Sequence, residues 1–502
     1  MNVLLIRPPV PRHTIGLKHV MICEPLELEY VAAGIEGHAV QILDLLIERG
    51  LDNRLRSFRP DVVGTSCYIT GVDEVKRLCR RVKEWSSSCI TVVGGVHASA
   101  VPEDFSDPSI DCIVLGDGTS AMPEILKAVE QHLPLADIPG LALPAGEDQV
   151  IRTAYREYMP RPDSLPFPRR DLVAHLSHRY YYLFHQPVAT VKTAWGCWYD
   201  CDFCFTCRVT DGMVYWRSPE SIVEELAQVQ PDEIYIVDDI FLINPERLAR
   251  IAELLRQRKI RKKFLVYARA DFVAEHEEII REWSALGLRA VIVGLEAATD
   301  TELDALNKHC TVDHNRRAVE VLRRNGVDTY GSLIPLPEYL PQDWHRLWRF
   351  IQGTGLYYVN ISPLTPLPGT RIWKDYREKI VVSRKAHALW DLSHCVLPTR
   401  MPLKRFYRSL LGLYAKTLLD IGRANRLTLR TRPPVWSRKY LRLWLGAVKI
   451  MFQFINAHQH HSAQAHRRTA ETGRDIASLP SRETPFHSRS TGPVPVLEEG
   501  AP

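Results

Sequence analysis

The sequence lacks an uninterrupted apolar run of about 18 residues, the length that a membrane-spanning helix requires. The longest candidate, LRLWLGAVKIMFQFI from Leu441, is shorter and contains Arg442 and Lys449. The apolar run in MNVLLIRPPVPRHT at the amino terminus is too short for a signal peptide and is typical of a first strand. We therefore expect a cytoplasmic protein, in which eleven cysteines favour metal or redox sites over disulfides.

The chain as a whole also lacks a strong charge of one sign. Its 502 residues have a net charge of +5, too small to indicate a nucleic-acid partner. The charge is unevenly placed, because residues 401–450 contain twelve Lys or Arg and a single acid, Asp420, interleaved with Leu, Tyr and Trp. Two interpretations stay open: a helical cap with a solvated basic face, or a surface that approaches anionic lipid at the inner membrane face.

The first part of the chain, residues 1–145, alternates short apolar runs with amphipathic helical patterns. Runs such as VLLIR, DVVGTSC, CITVVGG and DCIVLG are typical of strands buried on both faces. Together with the intervening helices they predict an α/β fold with a doubly wound, Rossmann-like parallel sheet. Such sheets bind ligands at the carboxyl ends of their strands.

A Pro-rich linker over residues 146–185 separates this domain from a second alternating series. Six strand patterns between residues 186 and 380, beginning with VATVKTA, predict a partial (β/α)6 barrel with its active site at the strand ends. One of its helices should begin with Ser218 as N-cap and Pro219 at the first position, and another should end at Gly326. Residues 381–457 are mostly helical in pattern, and the composition of residues 458–502 predicts a disordered tail.

Four cysteines lie close together in KTAWGCWYDCDFCFTCRVTDG, residues 192–212, after the first strand of the predicted barrel. Cys197, Cys201 and Cys204 have the spacing C-x3-C-x2-C, and Cys207 follows after two more residues. A structural zinc site would need a second, separate ligand pair, and a redox dithiol would leave two of the cysteines unexplained. Three thiolates on one loop can hold a [4Fe–4S] cluster with one iron open to substrate. Cys207 as a fourth ligand stays open.

This cysteine motif, with Phe203 before its last cysteine and on the first β–α loop of a barrel, resembles the radical S-adenosylmethionine (SAM) superfamily. The resemblance implies that SAM binds the open iron and is cleaved to a 5′-deoxyadenosyl radical. It also implies SAM contacts at later strand ends, namely Asp238 and Asp239 in IVDDIF, Arg269 in VYARAD and Glu296 in GLEA. The alternatives are helix capping for the two aspartates and a salt bridge for Arg269. GSLIPLP and TPLPGT resemble the ends of the fifth and sixth strands, although Pro335 replaces the usual glycine of GSLIPLP.

The first domain resembles cobalamin-binding proteins at three successive strand ends. The residues concerned are Thr65 and Ser66 in GTSCYITG, Gly94 and Gly95 in VVGGVHAS, and Gly116 and Gly118 in VLGDGTS. Glycines that only let strand and helix pack closely are the alternative. The motif D-x-H-x-x-G is absent, so the resemblance implies cobalamin without a histidine ligand, and His97 is not expected to bind cobalt.

The complete layout is similar to cobalamin-dependent radical SAM methyltransferases, and most of all to hopanoid C-3 methylases. This resemblance implies a [4Fe–4S] cluster, SAM and cobalamin as cofactors, and a reducing partner such as flavodoxin or ferredoxin. It implies methylation of an unactivated carbon in a large apolar substrate, such as a polycyclic lipid. Two alternatives remain, a non-methylating enzyme such as an oxidative cyclase and a non-catalytic iron–sulfur and corrinoid sensor.

Overall fold

The computed structural model of the protein describes residues 1–156, 161–427 and 438–471. All eleven cysteines are free thiols. Among the described residues, none of the helices combines the length and the apolarity that crossing a bilayer requires.

The first module is an α/β sheet flanked by helices on both faces. Its strands, together with the short β2, are β1 (Asn2–Arg7), β2 (Met21–Ile22), β3 (Ala39–Asp44), β4 (Val62–Ser66), β5 (Ile90–Gly94), β6 (Cys112–Val114), β7 (Leu141–Gly146) and β8 (Gln149–Arg152). Its helices are α1 (Leu26–Ala33), α2 (Leu51–Phe58), α3 (Val72–Trp85), α4 (Val96–Ala100) and α5 (Gly118–Glu130). These elements confirm the predicted doubly wound sheet.

The seven strands of this sheet lie in the order β3-β1-β4-β5-β6-β7-β8, parallel up to β6 and antiparallel from there. Successive residues of each strand are buried on opposite faces. Val3 and Leu5 belong to one apolar core, whereas Leu4 and Ile6 belong to the other. The direction of winding reverses between β1 and β4, and a crevice outside the carboxyl ends of strands forms at such a point.

The second module is a six-stranded parallel sheet, ordered β10-β13-β14-β15-β16-β17 and open between its two end strands. Its strands, with three short accessory ones, are β9 (Tyr181–Tyr182), β10 (Val188–Val191), β11 (Ala194–Trp195), β12 (Tyr215–Trp216), β13 (Glu233–Ile236), β14 (Lys263–Arg269), β15 (Leu288–Glu296), β16 (Asp328–Leu333) and β17 (Tyr358–Ile361). Its helices are α6 (Thr206–Val209), α7 (Pro219–Gln228), α8 (Pro245–Gln257), α9 (Ala270–Glu275), α10 (Glu277–Leu286), α11 (Asp300–Ala305), α12 (Val312–Arg324) and α13 (Pro341–Thr354). All six predicted strands are present, which confirms the partial barrel.

The helix ends follow the local sequence signals closely. Ser218 caps α7, because its side chain accepts a hydrogen bond from the Ser221 amide. Helix α12 ends one residue earlier than predicted, with Asn325 as its cap, and Gly326 follows at a φ of +69°.

Three further helices complete the chain: α14 (Arg371–Tyr376), α15 (Leu403–Leu427) and α16 (Arg438–Glu471). Two predicted boundaries differ from this structure. The first sheet continues to Arg152, beyond the expected limit at residue 145, because β8 pairs with β7. The sequence predicts a disordered tail from residue 458, but residues 458–471 belong to α16. Residues 472–502 lie outside the described part of the chain.

The two modules are joined by buried polar contacts. Arg170, in the Pro-rich linker, forms ion pairs with Glu24 of the first module and with Glu225 of α7, the latter at 2.6 Å. The segment before α15 also contacts the first module, where His387 Nδ1 lies 3.2 Å from Asp73 Oδ1. These contacts fix how the strand ends of the two sheets face each other.

Candidate active site

The four clustered cysteines lie on one loop that is closed at its base. Strands β11 and β12 pair antiparallel, so residues 196–214 form a loop directly after the first barrel strand. Cys201 is buried on this loop, while Cys197 and Cys204 are partly exposed. Cys207 is buried as well, but it belongs to α6, where its carbonyl accepts a hydrogen bond from Gly212.

The cysteines differ in the charges that surround them. The Arg269 guanidinium lies 3.7 Å from Cys201 Sγ. Burial raises the pKa of the Cys201 thiol, and Lys308 and Arg269 oppose this rise by stabilising the thiolate. Cys207 is influenced instead by Arg208 and Arg371, and burial raises its pKa. Cys201 therefore faces the strand ends of the barrel, whereas Cys207 faces the side of α14.

The donor set fits an iron–sulfur cluster better than a single ion. In the part of the chain that the structure describes, no three His, Cys, Asp or Glu side chains are placed to hold one metal ion. Cys197, Cys201 and Cys204 supply three thiols from one loop, and the cations Arg269 and Lys308 lie beside Cys201. This donor set fits a [4Fe–4S] cluster with one iron open to a ligand.

The carboxylate of Asp238, which follows β13, forms its hydrogen bonds within the protein. Its Oδ1 accepts hydrogen bonds from the amides of Thr193 (2.6 Å) and Ala194 (3.1 Å), and its Oδ2 accepts one from the Thr193 hydroxyl. Burial raises the pKa of Asp238, against the opposing effect of Lys192 and Arg247. Asp238 therefore positions Thr193 and Ala194 at the start of the cysteine loop through hydrogen bonds to both of its oxygens. Its contact with SAM stays a prediction.

Asp239 turns towards the cysteines. Its Oδ2 accepts hydrogen bonds from the Gly196 amide (3.0 Å) and from Lys192 Nζ (3.3 Å). Its Oδ1 lies 3.3 Å from the Thr206 hydroxyl, which is itself 3.5 Å from Cys204 Sγ. The side chain remains 30% exposed, so a bound ligand can reach the carboxylate.

Replacing Asp238 and replacing Asp239 should have different effects on stability and on SAM binding. We expect Asp238→Asn to lower the free energy of unfolding by roughly 1.5–3 kcal/mol, because it removes a charged acceptor of three hydrogen bonds. Asp239→Asn should cost less stability, because its carboxylate is 30% exposed and water can replace the lost hydrogen bonds, and it should weaken SAM binding about tenfold, because it removes a carboxylate that a cationic group of a ligand can contact. Chemical denaturation and equilibrium dialysis with SAM measure the two effects, and equal behaviour of the two variants would contradict this division.

Arg269 and Glu296 end the neighbouring strands β14 and β15. Arg269 is buried, donates to Asp271 Oδ2 (2.8 Å) and to the Lys308 carbonyl (2.6 Å), and stacks on the Tyr199 ring at 3.8 Å. Glu296 adopts a φ of +59° next to a register shift between β15 and β16. Such a backbone in a residue other than glycine is strained, and strain of this kind clusters at ligand sites.

Lys308, which the sequence did not single out, pairs with Glu296. Its Nζ donates to Glu296 Oε1 at 2.8 Å, and both side chains are only 7% exposed. Burial alone would lower the pKa of Lys308, but Glu296 and Cys201 raise it above its ordinary value. Lys308 therefore stays positively charged between the cysteine loop and the end of β15.

The loops after β16 and β17 border the same region. Pro335 and Pro337, in the predicted fifth-strand motif, have carbonyls that accept hydrogen bonds from Leu364 and Arg400. Residues 365–370 lead into α14, where Arg371 lies 3.0 Å from Asp200 on the cysteine loop. The segment after the sixth barrel strand thus contacts the outer side of the cysteine loop through Arg371 and Asp200.

All six residues expected at the cobalamin site lie at the carboxyl edge of the first sheet. Thr65 is buried, and its hydroxyl has no hydrogen-bond partner among the residues that the structure describes. Ser66 donates to Glu27 Oε1 at 3.4 Å. Gly116 and Gly118 flank Asp117, whose carboxylate caps α5. An unpartnered hydroxyl at this edge fits a ligand rich in amide groups, such as cobalamin.

Gly94 and Gly95 form the turn after β5. A Cβ on Gly94 would have only ordinary contacts, with Val114 at 3.7 Å. Gly95 has a φ of +100°, and a Cβ there would lie 3.2 Å from the backbone N and O of Cys67. A side chain at Gly95 would therefore displace the segment that follows β4.

We expect Gly95→Ala to reduce cobalamin uptake while iron uptake is retained. Gly37→Ala is the matched control, because Gly37 has a φ of +73° at the opposite edge of the sheet and nothing within 4 Å of a Cβ. Gly37→Ala controls for placing an alanine at a positive φ, and Gly95→Ala is the more strained of the two because Gly95 has a φ of +100° and a ψ of 176°, a region that is essentially limited to glycine. Absorption spectra after anaerobic reconstitution and gel filtration measure the bound cobalamin, and equal loss in both variants would contradict the assignment.

Tyr68, two residues beyond Ser66, shows how the two modules meet. Its side chain is 71% exposed, yet the bulk of both modules around it raises the pKa of its hydroxyl to about 12. The charged and polar groups that influence it are Glu27 and Arg7 of the first module and Tyr267 and Asp239 of the barrel. Tyr68 therefore stands in a water-accessible gap between the carboxyl edges of the two sheets.

The fold and the site together define a class: a barrel with an iron–sulfur loop, whose strand ends face the ligand edge of a flavodoxin-like module. Comparison with known families agrees with this. Residues 12–126 match the family described as B12 binding domain, and residues 191–351 match the radical SAM superfamily.

Known proteins resemble the chain over most of its length. Hopanoid C-3 methylase of Methylococcus capsulatus is 30% identical over 420 residues, which is 82% of this chain and 79% of that protein. An anaerobic magnesium-protoporphyrin IX monomethyl ester cyclase of Rubrivivax gelatinosus is 24% identical, over 67% of this chain and 62% of that protein. The solved structure of the methyltransferase TsrM from Kitasatospora setae superposes with a TM-score of 0.65 at 18% identity, covering 91% of this chain and 99% of that chain.

The chain belongs to the cobalamin-dependent radical SAM methyltransferase family. Its cofactors are accordingly cobalamin, a [4Fe–4S] cluster and SAM.

Proposed function

We propose that this enzyme methylates an unactivated carbon of a large apolar substrate of the polycyclic, hopanoid-like class. When bound, the cluster and SAM supply a 5′-deoxyadenosyl radical that removes a hydrogen atom, and cobalamin supplies the methyl group. The observation that carries the proposal is the gap around Tyr68, because ligands held at the two opposed edges would meet there.

In this proposal the carboxyl edges of the two sheets, on either side of the gap, bind different cofactors. The residues that hold the cluster and SAM lie on the cysteine loop and at the neighbouring strand ends: Cys197, Cys201, Cys204, Asp239, Arg269 and Glu296. Asp238 and Lys308 position them. The first sheet holds cobalamin through Thr65, Ser66, Gly94, Gly95, Gly116 and Gly118. Cys207 is not a ligand in this proposal.

The interior of the barrel supports an apolar substrate. Tyr182 packs against Tyr235 with ring centroids 5.1 Å apart and stacks on Tyr330 at 5.9 Å. Tyr235 donates a hydrogen bond to the Tyr267 hydroxyl at 2.8 Å, which satisfies the polar ends of both rings. These buried or partly buried rings give the barrel interior an aromatic lining, and the similarity to a hopanoid methylase points to an apolar substrate class.

We further propose a cytoplasmic enzyme that contacts the membrane peripherally and receives electrons from a small reducing protein such as flavodoxin or ferredoxin. A reductant is needed because cleavage of SAM to a radical consumes one electron. The basic and apolar composition of residues 401–450 supports contact with lipid.

Turnover with SAM labelled in its methyl group tests the proposal. The reconstituted enzyme, a chemical reductant and a hopanoid extract are combined without oxygen, and the lipid products are analysed by mass spectrometry. We expect label in the lipid, and none with the Cys201→Ala variant. A modified product without label would favour the oxidative cyclase alternative, to which the similarity with the Rubrivivax gelatinosus cyclase points.

A further inference from the structure

Helix α16 has an outer face that is apolar and exposed. Trp444 and Phe452 are 57% and 65% exposed, far more than such large apolar side chains usually are. Three more exposed apolar residues share the spacing of three, four or seven residues that places side chains on one face: Leu441, Leu445 and Ile455. Singly exposed apolar residues are ordinary, but a continuous stripe marks an interaction site.

The inner face of α16 fixes which way the stripe points. Tyr440 stacks on Phe184 with ring centroids 5.8 Å apart, and Leu443 and Phe454 are buried. At Gly446 the helix lies so close to the segment before β2 that a Cβ would come within 2.0 Å of the His19 carbonyl oxygen. The helix therefore cannot rotate to bury its outer face against its own module.

The charge of α16 is positive along its whole length except at its last residue, Glu471. From Arg438 to Ala470 the sequence contains no Asp or Glu, while Arg438 and Lys449 lie exposed at the edge of the stripe. The water-exposed face of α8, by contrast, has both signs, because Glu246 and Glu253 lie beside Arg250 and Arg256. An exposed stripe with Trp and Phe, bordered by bases and free of acids, is complementary to an anionic lipid surface.

We propose that the outer face of α16 docks the enzyme on the surface of an anionic bilayer. The described helices are too short or too polar to span a membrane, so α16 lies in the interface with its apolar stripe buried among the lipid chains. Trp444 suits this position, because its indole ring has an apolar body and a polar edge. Docking brings the enzyme to the bilayer, in which a polycyclic lipid dissolves. This benefit rests on the substrate class of the proposed function.

Vesicle flotation with the full-length protein tests the docking face. We expect the protein to float with vesicles of phosphatidylglycerol and phosphatidylcholine in equal parts, and far less with phosphatidylcholine alone. The double variant Trp444→Asp, Phe452→Asp should bind at least about tenfold more weakly, because charges replace the two largest apolar contacts. Lys449→Glu should weaken binding to the anionic vesicles by a similar roughly tenfold factor and leave phosphatidylcholine binding unchanged.

Leu133→Asp is the matched control, because Leu133 is an exposed apolar residue of the first module, 52% accessible, and should float like the unmodified protein. Equal flotation of all variants, or no flotation of the unmodified protein, would overturn the proposal. A dimer that the Trp444→Asp, Phe452→Asp variant converts to monomer, without vesicle binding by either, would assign the stripe to self-association instead. Flotation requires no turnover, so its failure is distinguishable from a failure of methyl transfer to the lipid.

Discussion

The variants Cys197→Ala, Cys201→Ala and Cys204→Ala should each lose the [4Fe–4S] cluster, whereas Cys207→Ala should keep it. The reason lies in the different surroundings of the four thiols. Cys201 lies 3.7 Å from Arg269 at the strand ends of the barrel, whereas Cys207 belongs to α6 and lies beside Arg208 and Arg371, on the side of α14. Iron and sulfide analysis and electron paramagnetic resonance after anaerobic reconstitution measure the cluster. Production of 5′-deoxyadenosine should fall below detection in the three ligand variants.

Cys207→Ala is the matched control within the same loop, because all four substitutions remove one thiol. A cluster lost from Cys207→Ala but retained by one of the other three would reassign the ligands. Loss from all four variants would indicate four protein ligands, and the site could then not leave one iron open for SAM.

Lys308→Met should destabilise the enzyme strongly. Lys308 and Glu296 form an ion pair in which both side chains are almost completely buried. Removing one partner leaves the Glu296 carboxylate buried without its counter-charge, which costs roughly 3–5 kcal/mol of unfolding free energy. Denaturant unfolding measures this loss, and SAM binding by the folded fraction should fall with it, because the variant also removes a cation beside Cys201.

The double variant Lys308→Met, Glu296→Gln provides the control. If the unpaired carboxylate causes the loss of stability, the double variant should be more stable than Lys308→Met alone, because a neutral amide costs less to bury. A double variant as unstable as the sum of the two single changes would show that the pair is not the cause.

The sequence alone was sufficient to predict the architecture and the position of the cysteine loop. Strands buried on both faces give continuous apolar runs, so the strands of both sheets could be read from composition and spacing. Because parallel strands present their carboxyl ends at one edge, the order of the runs also predicted that Cys201, Arg269 and Glu296 would come together.

The tasks of individual polar residues could not be predicted in the same way. Asp238 and Asp239 are adjacent in sequence and look equivalent, but Thr193, which lies 45 residues earlier, binds the first and leaves the second exposed. Lys308 follows α11 in a stretch without periodicity, so only the fold reveals its contact with Glu296. The edge strand β8 was missed because QVIR is only four residues long and largely exposed, and pairing with β7 determines its place.

The products formed from SAM test the central claim most directly. Each methylation should consume one SAM that loses its methyl group and one that is cleaved reductively. The reconstituted enzyme with substrate and reductant is therefore expected to form S-adenosylhomocysteine and 5′-deoxyadenosine in equal amounts, both abolished in Cys201→Ala. Formation of 5′-deoxyadenosine without S-adenosylhomocysteine would contradict methyl transfer, and formation of neither would contradict an enzyme of this family.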